Sequence, residues 1–345
     1  MYREASKIIG IGKSNADLVS MLSPNRDDES NQKMKVVFVV GVGGLDKTTL
    51  AKAVYDKLKS LFGYGAFVPV GQDPVLKKVF RDILIDLHKD KYTDLKYTML
   101  DERQLINELH DFLRTKRYFI IIDDIWEPQT WERIKLALVE NNHGSRTITT
   151  TRKFQVANEA DEVYKLQTLS HDNSKRLFYM RLFGHEDKCP NNHQDELSSA
   201  ILKKCGGIPL AIITMASLLL GKSRENWIEV CNSPGFYQDK DERHMENTTH
   251  ILSLSYYDLP SHLKTCLLYL SVFPEDSLID RDSLIWKWIA EGFVEKKPGR
   301  GLFEVGEQYF HDLINRSMIQ GVYSKVYGIK YCRVHDMVLD LIVSM

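Results

Sequence analysis

The segment that decides the fold is VVFVVGVGGLDKTT, which runs from Val36 to Thr49. Its five apolar residues, 36–40, predict a strand buried on both faces of a parallel sheet. The glycine-rich turn and the Lys-Thr-Thr sequence that follow have the layout of a phosphate-binding loop that opens a helix. The segment therefore predicts an α/β domain with a P-loop at the end of its first strand.

One residue of this loop departs from the pattern G-x-x-x-x-G-K-[ST]. Asp46 stands where the pattern has glycine, immediately before Lys47. A carboxylate beside that lysine would repel phosphate, and its Cβ adds bulk where the backbone must approach a ligand closely. We therefore expect Asp46 to weaken nucleotide binding or to abolish it.

Each residue type in a P-loop has a defined task. Backbone N–H groups cradle the phosphates, the lysine reaches the terminal phosphates, and the hydroxyl after it binds Mg²⁺. The loop thus predicts a nucleotide cofactor with Mg²⁺, and Thr48 is the predicted metal ligand. The nucleotide-binding residues predicted in the loop are Gly41, Gly43, Gly44, Lys47, Thr48 and Thr49.

A second apolar run, residues 118–122, ends in Asp123 and Asp124. In a P-loop ATPase a carboxylate at this place holds Mg²⁺, so Asp123 is a predicted metal ligand and Asp124 a group that polarises the attacking water. Arg152 follows a threonine-rich strand end and is predicted to sense the γ-phosphate. Lys47, Asp124 and Arg152 are the predicted catalytic set. Taken alone, the aspartates would be an ordinary strand-end turn and the arginine a solvated cap.

The pattern along the chain predicts three domains. Strands alternate with helices over residues 1–168, which favours a doubly wound parallel sheet. Residues 169–247 are helical, and a charged, Asn-rich loop over 238–247 ends them. Residues 248–345 combine helices with a hairpin, which is typical of a winged-helix domain. The predicted fold class is α/β, a P-loop NTPase sheet followed by a helical and a winged-helix domain.

Composition excludes some classes of partner. The chain carries 46 basic and 47 acidic residues, so it has no bulk charge to attract nucleic acid or an anionic membrane. Its five cysteines are scattered, and no apolar stretch reaches the length of about 20 residues that a bilayer requires. A secretory leader is not evident at the N-terminus. We therefore predict a cytoplasmic protein without nucleic-acid or membrane partners.

Six motifs in order resemble the NB-ARC module of plant NLR immune receptors, a branch of the STAND ATPases. The match extends from about residue 9 to residue 336. The motifs are GVGGLDKTTLA (41–51), YFIIIDDIW (118–126), GSRTITTTR (144–152), GGIPLA (206–211), CLLYLSVFPED (266–276) and VHD (334–336).

The resemblance implies further nucleotide contacts. Ile9 and Gly10 would lie against the adenine, Pro209 would pack on the base or ribose, and His335 would bind the β-phosphate of ADP. On sequence alone Pro209 is a residue of a first helical turn, and His335 is an unremarkable histidine before a helix. The resemblance also implies an ADP/ATP-dependent switch in plant defence, which hydrolyses ATP slowly at most and self-associates through its nucleotide-binding domain.

The family usually carries an N-terminal coiled coil and a C-terminal leucine-rich repeat as well. Neither pattern is found in this sequence, so we expect a central fragment that would act with those domains of a parent receptor.

Three alternatives remain. A partitioning-type ATPase would have lysine before the two loop glycines, but Val42 stands there. A DNA-binding winged helix is disfavoured because its candidate helix, 305–317, has a single arginine, Arg316, against acidic neighbours. The third alternative, a nucleotide-free interaction scaffold with the same fold, is favoured by Asp46.

Overall fold

The computed structural model describes residues 9–23, 33–93, 99–184, 192–234, 244–275, 277–324 and 328–345. It contains two compact units. One comprises Ile11–Gln167, and the other comprises Thr168–Met345 together with the described N-terminal residues Ile9 and Gly10. Each unit is treated separately below.

The unit of residues 11–167 contains a five-stranded sheet in the order β2-β3-β4-β1-β5. All neighbouring strands pair in parallel, which confirms the predicted doubly wound sheet. The strands are β1 (Lys35–Val40), β2 (Tyr64–Gly71), β3 (Tyr118–Ile125), β4 (Arg146–Thr151) and β5 (Glu162–Lys165). The interior strands β3 and β4 are buried over their whole length, as expected for a parallel sheet covered on both faces.

Helices cover this sheet. They are α1 (Gly12–Leu22), α2 (Lys47–Leu58), α3 (Leu76–Leu87), α4 (Lys89–Tyr92), α5 (Glu102–Leu113) and α6 (Pro128–Ala137). The apolar side of α3 is buried against the sheet, and a capping box of Asp101 and Gln104 starts α5. Helix α6 was not predicted, although Pro128 in its first turn is a start signal. Its Trp131 packs edge-on against Phe38 of β1, with ring centroids 5.0 Å apart.

Strand β3 contains the two aspartates and does not end before them. Ile122 pairs with Thr149 and Ile125 pairs with Thr151, so Asp123 and Asp124 together oppose Thr150. This extra residue is a β-bulge, a feature that often re-aims side chains beside functional sites. Asp124 accordingly has a positive φ of 59°. The strand that was predicted to end in these two aspartates therefore continues one residue beyond them, to Ile125.

The unit of residues 168–345 is mainly helical. Its described helices are α7 (His171–Phe183), α8 (Asn192–Cys205), α9 (Pro209–Leu219), α10 (Arg224–Asn232), α11 (His244–Tyr257), α12 (Ser261–Leu268), α13 (Arg281–Ala290), α14 (Leu302–Asn315) and α15 (Asp336–Val343). The predicted loop over 238–247 was wrong at residues 244–247, which form the first turn of α11. Its earlier part, 238–243, lies outside the described residues.

The predicted C-terminal hairpin is confirmed. Strand β7 (Gln320–Ser324) pairs antiparallel with β8 (Gly328–Arg333), while residues 325–327 lie outside the described residues. The two-residue strand β6 (Ile279–Asp280) pairs with β8 as well, so the sheet has three strands. This small sheet with α13 and α14 is the winged-helix arrangement.

Among the described residues, no helix combines the length and the apolar character that crossing a bilayer would require.

Candidate functional site

The loop between β1 and α2 has the backbone that its glycines allow. A Cβ on Gly41 would lie 3.0 Å from Cδ1 of Leu45 and 3.4 Å from Cβ of Leu166, so glycine fits this close approach best. Gly44 has a φ of +78° and is buried with Gly43. The loop therefore has the tight, glycine-dependent form that a phosphate-binding loop requires.

Asp46 occupies the left-handed region, with φ 61° and ψ 36°, directly before α2. Aspartate tolerates this region better than most residues, but glycine adopts it without strain. The Asp46 side chain makes no capping hydrogen bond to the helix, so it does not satisfy the backbone N–H groups of the first turn. Burial raises its pKa to about 6, and the neighbouring Lys47 opposes that shift.

Lys47 is buried at the start of α2, and its Nζ donates a hydrogen bond to the carbonyl oxygen of Val42 at 3.1 Å. Its pKa is lowered to about 8, mainly by burial and next by the positive charge of Arg152. The carboxylates of Asp124, Asp123 and Asp46 oppose these effects. The lysine is thus held over its own loop among charged groups, where an anion would favour its protonated form.

Asp123 is almost fully buried and is held by two hydroxyl groups. Thr150 Oγ1 donates to its Oδ1 at 2.5 Å, and the Thr48 side chain also hydrogen-bonds to it. Burial raises its pKa, and Asp124 adds to the rise, whereas the two threonines and Lys47 lower it. The hydroxyl of Thr48 and a carboxylate oxygen therefore lie side by side, which is the donor set that Mg²⁺ prefers.

Asp124 belongs to a second cluster at the same sheet edge. Its Oδ2 accepts a hydrogen bond from Nε1 of Trp126 at 2.8 Å, and its Oδ1 lies 3.7 Å from Nε of Arg152. The Arg152 guanidinium carbon lies 4.5 Å from the centre of the Trp126 ring, within the range of a cation–π contact. The backbone N–H of Asp124 donates to Oγ1 of Thr150 at 2.8 Å.

The structure thus brings together five of the predicted site residues within residues 11–167: Lys47, Thr48, Asp123, Asp124 and Arg152. It adds two residues that the sequence analysis did not assign to the site, Trp126 and Thr150. Trp126 was visible only as the end of a motif. Thr150 had at most a weak signal, because it is one of four threonines in β4 and the pattern does not separate it from Thr147 and Thr149, whose hydroxyl groups have no hydrogen-bond partner among the described residues.

Two protein-family models match the chain. Residues 21–188 match the model described as NB-ARC domain, and residues 272–342 match the one described as Disease resistance protein Winged helix domain. The chain is 33% identical over 98% of its length to "Disease resistance protein RGA5" of Oryza sativa subsp. japonica. It is also 33% identical over 92% of its length to "Disease resistance protein RPP13" of Arabidopsis thaliana.

The chain belongs to the NB-ARC family of plant NLR disease-resistance proteins.

This NB-ARC chain spans about a third of the length of those relatives, 31% of the rice protein and 38% of the Arabidopsis protein. Among solved structures it resembles a STAND protein with a tetratricopeptide repeat sensor from Pyrococcus horikoshii. The TM-score is 0.56 at 19% identity, over 95% of this chain and 41% of that one. At this identity the likeness concerns the fold alone, and it agrees with a P-loop sheet followed by helices.

The other predicted nucleotide contacts of the NB-ARC chain lie in the second unit. Ile9 and Gly10 form a turn, and Gly10 has a φ of +85°. A Cβ on Gly10 would overlap Cδ2 of Leu169 at 2.2 Å, and one on Gly207 would lie 2.5 Å from the Leu169 carbonyl oxygen. The structure therefore brings Gly10 and the turn before Pro209 together around Leu169.

Pro209 starts α9 and is buried, as expected for a proline in a first helical turn. His335 caps α15, where its side chain accepts a hydrogen bond from the backbone N–H of Met337 at 3.3 Å and contacts the carboxylate of Asp336. The roles of these residues toward a nucleotide stay predictions.

Proposed function

We propose that this NB-ARC chain is the adenine-nucleotide-dependent switch of a plant disease-resistance receptor, that it binds ADP or ATP with Mg²⁺ at the Gly41–Thr49 loop, and that it hydrolyses ATP slowly. The observation that carries the proposal is the convergence of Lys47, Thr48, Asp123, Asp124 and Arg152 at one sheet edge. Cytoplasmic location and self-association through the nucleotide-binding domain are parts of the same proposal.

The donors of the loop fit the phosphates of a nucleotide. The backbone N–H groups at the start of α2 are not capped by Asp46, and the buried Lys47 lies at their side. Together with Gly41, Gly43, Gly44 and Thr49 they would hold the phosphates, while Thr48 and Asp123 would hold Mg²⁺. Bound Mg²⁺ would supply neutralisation of phosphate charge.

Asp124 and Arg152 would act on the reacting groups. Asp124 would orient and polarise a water molecule, and Arg152 would pair with negative charge that develops on the terminal phosphate. Both are already engaged with Trp126 and with each other, which agrees with slow turnover. Switching requires only that ADP and ATP bind the conformations of the protein with different affinities.

A specific observation favours the alternative of a nucleotide-free interaction scaffold. Asp46 carries a carboxylate next to Lys47, at a place where glycine would cause no repulsion and no backbone strain. A weakened site and a lost site differ in a measurable way, because a weakened site still saturates with ligand.

Equilibrium dialysis of labelled ADP with Mg²⁺ against the wild-type chain at pH 6 tests the proposal. We expect saturable binding at one site per chain, lost in Lys47→Ala and retained in Lys57→Ala. The latter variant removes an exposed lysine from the same helix and serves as the control. Equal retention of ADP by both lysine variants, or none by the wild type, would refute the proposed site.

A further inference from the structure

Trp126 lies between the two residues that the proposed function assigns to hydrolysis. Its indole N–H donates to Oδ2 of Asp124 at 2.8 Å, and its ring lies under the guanidinium group of Arg152 at 4.5 Å. Asp124 and Arg152 form an ion pair, with Oδ1 of the carboxylate 3.7 Å from Nε of the guanidinium group. Each of the three side chains thus contacts the other two.

The backbone fixes this cluster. Asp124 is the second residue of the bulge opposite Thr150, it has a φ of 59°, and its N–H donates to Oγ1 of Thr150. The ion-paired side chains are 6% exposed for Arg152 and 9% exposed for Asp124, so solvent screens their contact only weakly. The bulge therefore fixes the backbone position from which the Asp124 side chain starts.

The arrangement opposes the tasks that the proposed function assigns to Asp124 and Arg152. A carboxylate that polarises water must turn an oxygen toward that water, but here the indole N–H holds Oδ2 and the charge of Arg152 lies 3.7 Å from Oδ1. The cation–π contact likewise holds the guanidinium on the indole ring.

We propose that Trp126 is a positioning residue that keeps Asp124 and Arg152 engaged with each other and so holds ATP turnover at a low rate. This inference rests on the proposed nucleotide function. Its two halves are separable: the indole N–H restrains the carboxylate, and the ring face restrains the guanidinium group.

Two substitutions separate these halves. Trp126→Phe keeps an aromatic ring for Arg152 and removes the donor to Asp124. Trp126→Leu keeps apolar bulk and removes both. Trp286→Phe is the matched control, because Trp286 is 59% exposed on α13 in the other unit.

The first readout needs no nucleotide. The rate at which phenylglyoxal modifies Arg152 is followed by mass spectrometry of the peptide that contains it. We expect Trp126→Leu to react about fivefold faster than wild type, because the guanidinium loses its π partner, and Trp126→Phe to stay within about twofold. An unchanged rate in Trp126→Leu would overturn the positioning of Arg152.

The second readout is single-turnover ATP hydrolysis in the Asp46→Gly background, with the ATP affinity measured separately. We expect Trp126→Phe to raise the rate constant about fivefold or more at an affinity within about twofold, because Oδ2 of Asp124 is released from the indole N–H and the carboxylate can rotate. An unchanged or lower rate constant with nucleotide bound would overturn the inference. If no variant binds nucleotide, the proposed function fails, and the modification rate of Arg152 alone decides whether Trp126 positions it.

Discussion

Replacement of Asp46 by glycine should raise nucleotide affinity by an amount that depends on pH. An ionised Asp46 about 4 Å from a phosphate would cost about 4 kcal/mol at an effective dielectric constant near 20, or about three decades of affinity. Protonation of Asp46 avoids this repulsion at a smaller free-energy cost, because its pKa is already raised to about 6. At pH 7 protonation of this carboxyl costs only about 1.4 kcal/mol, which is about tenfold in affinity.

Protonation of Asp46 costs less free energy than repulsion by its ionised form, so protonation determines how much nucleotide affinity is lost. The Asp46→Gly variant should therefore bind ADP about tenfold more tightly than wild type at pH 7, about thirtyfold at pH 7.5 and about twofold at pH 6. Below pH 5 the charge penalty should vanish, since the carboxyl group is neutral in both free and bound protein. The direction follows from the raised pKa, which favours the protonated form in the free protein and still more beside phosphate.

Isothermal titration of ADP with Mg²⁺ into both proteins from pH 5.5 to 8 is the assay. The ratio of the two affinities at each pH largely removes the titration of Lys47 and of the phosphates, which both proteins share. Asp46→Asn is the control, since it removes the charge and keeps the Cβ in the left-handed conformation. A ratio that stays constant across this range would refute the reasoning and would show that the carboxyl group lies away from the phosphates.

Three further predictions concern stability and are measured by chemical denaturation. At pH 7 Asp46→Asn should increase the free energy of unfolding by up to about 3 kcal/mol, because ionisation of Asp46 in the folded state is disfavoured. This gain should disappear as the pH falls from about 6 to below 4. A gain that is the same at every pH would contradict the prediction. Gly207→Ala should cost about 2 kcal/mol or more, since its Cβ would lie 2.5 Å from the Leu169 carbonyl oxygen, whereas Gly221→Ala, with the similar φ of +73° and open space around it, should cost less. Arg181→Ala should cost about 2 kcal/mol because its guanidinium donates to the carbonyl oxygen at the end of α14 at 2.6 Å; no loss would show that the contact contributes nothing.

The sequence predicted the elements whose signals are local. The apolar runs of β1 and β3 and the glycine-rich turn after β1 each carry their own pattern, so the parallel sheet and the position of the loop were predictable. The hairpin of β7 and β8 was predictable for the same reason. Helix α6 could have been found from Pro128 and the spacing of its buried residues Trp131, Ile134 and Ala137.

Other features depend on partners distant in the chain. The bulge at Asp123 and Asp124 exists only through the register with Thr150, and β6 is two residues long and is defined by its pairing with β8. The contact of Trp126 with Arg152 joins residues of different strand ends, and no spacing rule reveals it. The raised pKa of Asp46 is likewise a consequence of burial in the folded chain. Because of it, the repulsion between Asp46 and a bound phosphate depends on pH.

The central claim, that the Gly41–Thr49 loop holds an adenine nucleotide despite Asp46, has one most direct test. The wild-type chain is purified at pH 6, where Asp46 repels phosphate least, and is then denatured so that any released nucleotide is identified by chromatography. We predict ADP in near-equimolar amount from the wild type and from Asp46→Gly, and none from Lys47→Ala. Absence of adenine nucleotide from both the wild type and Asp46→Gly would contradict the account and would favour the nucleotide-free scaffold.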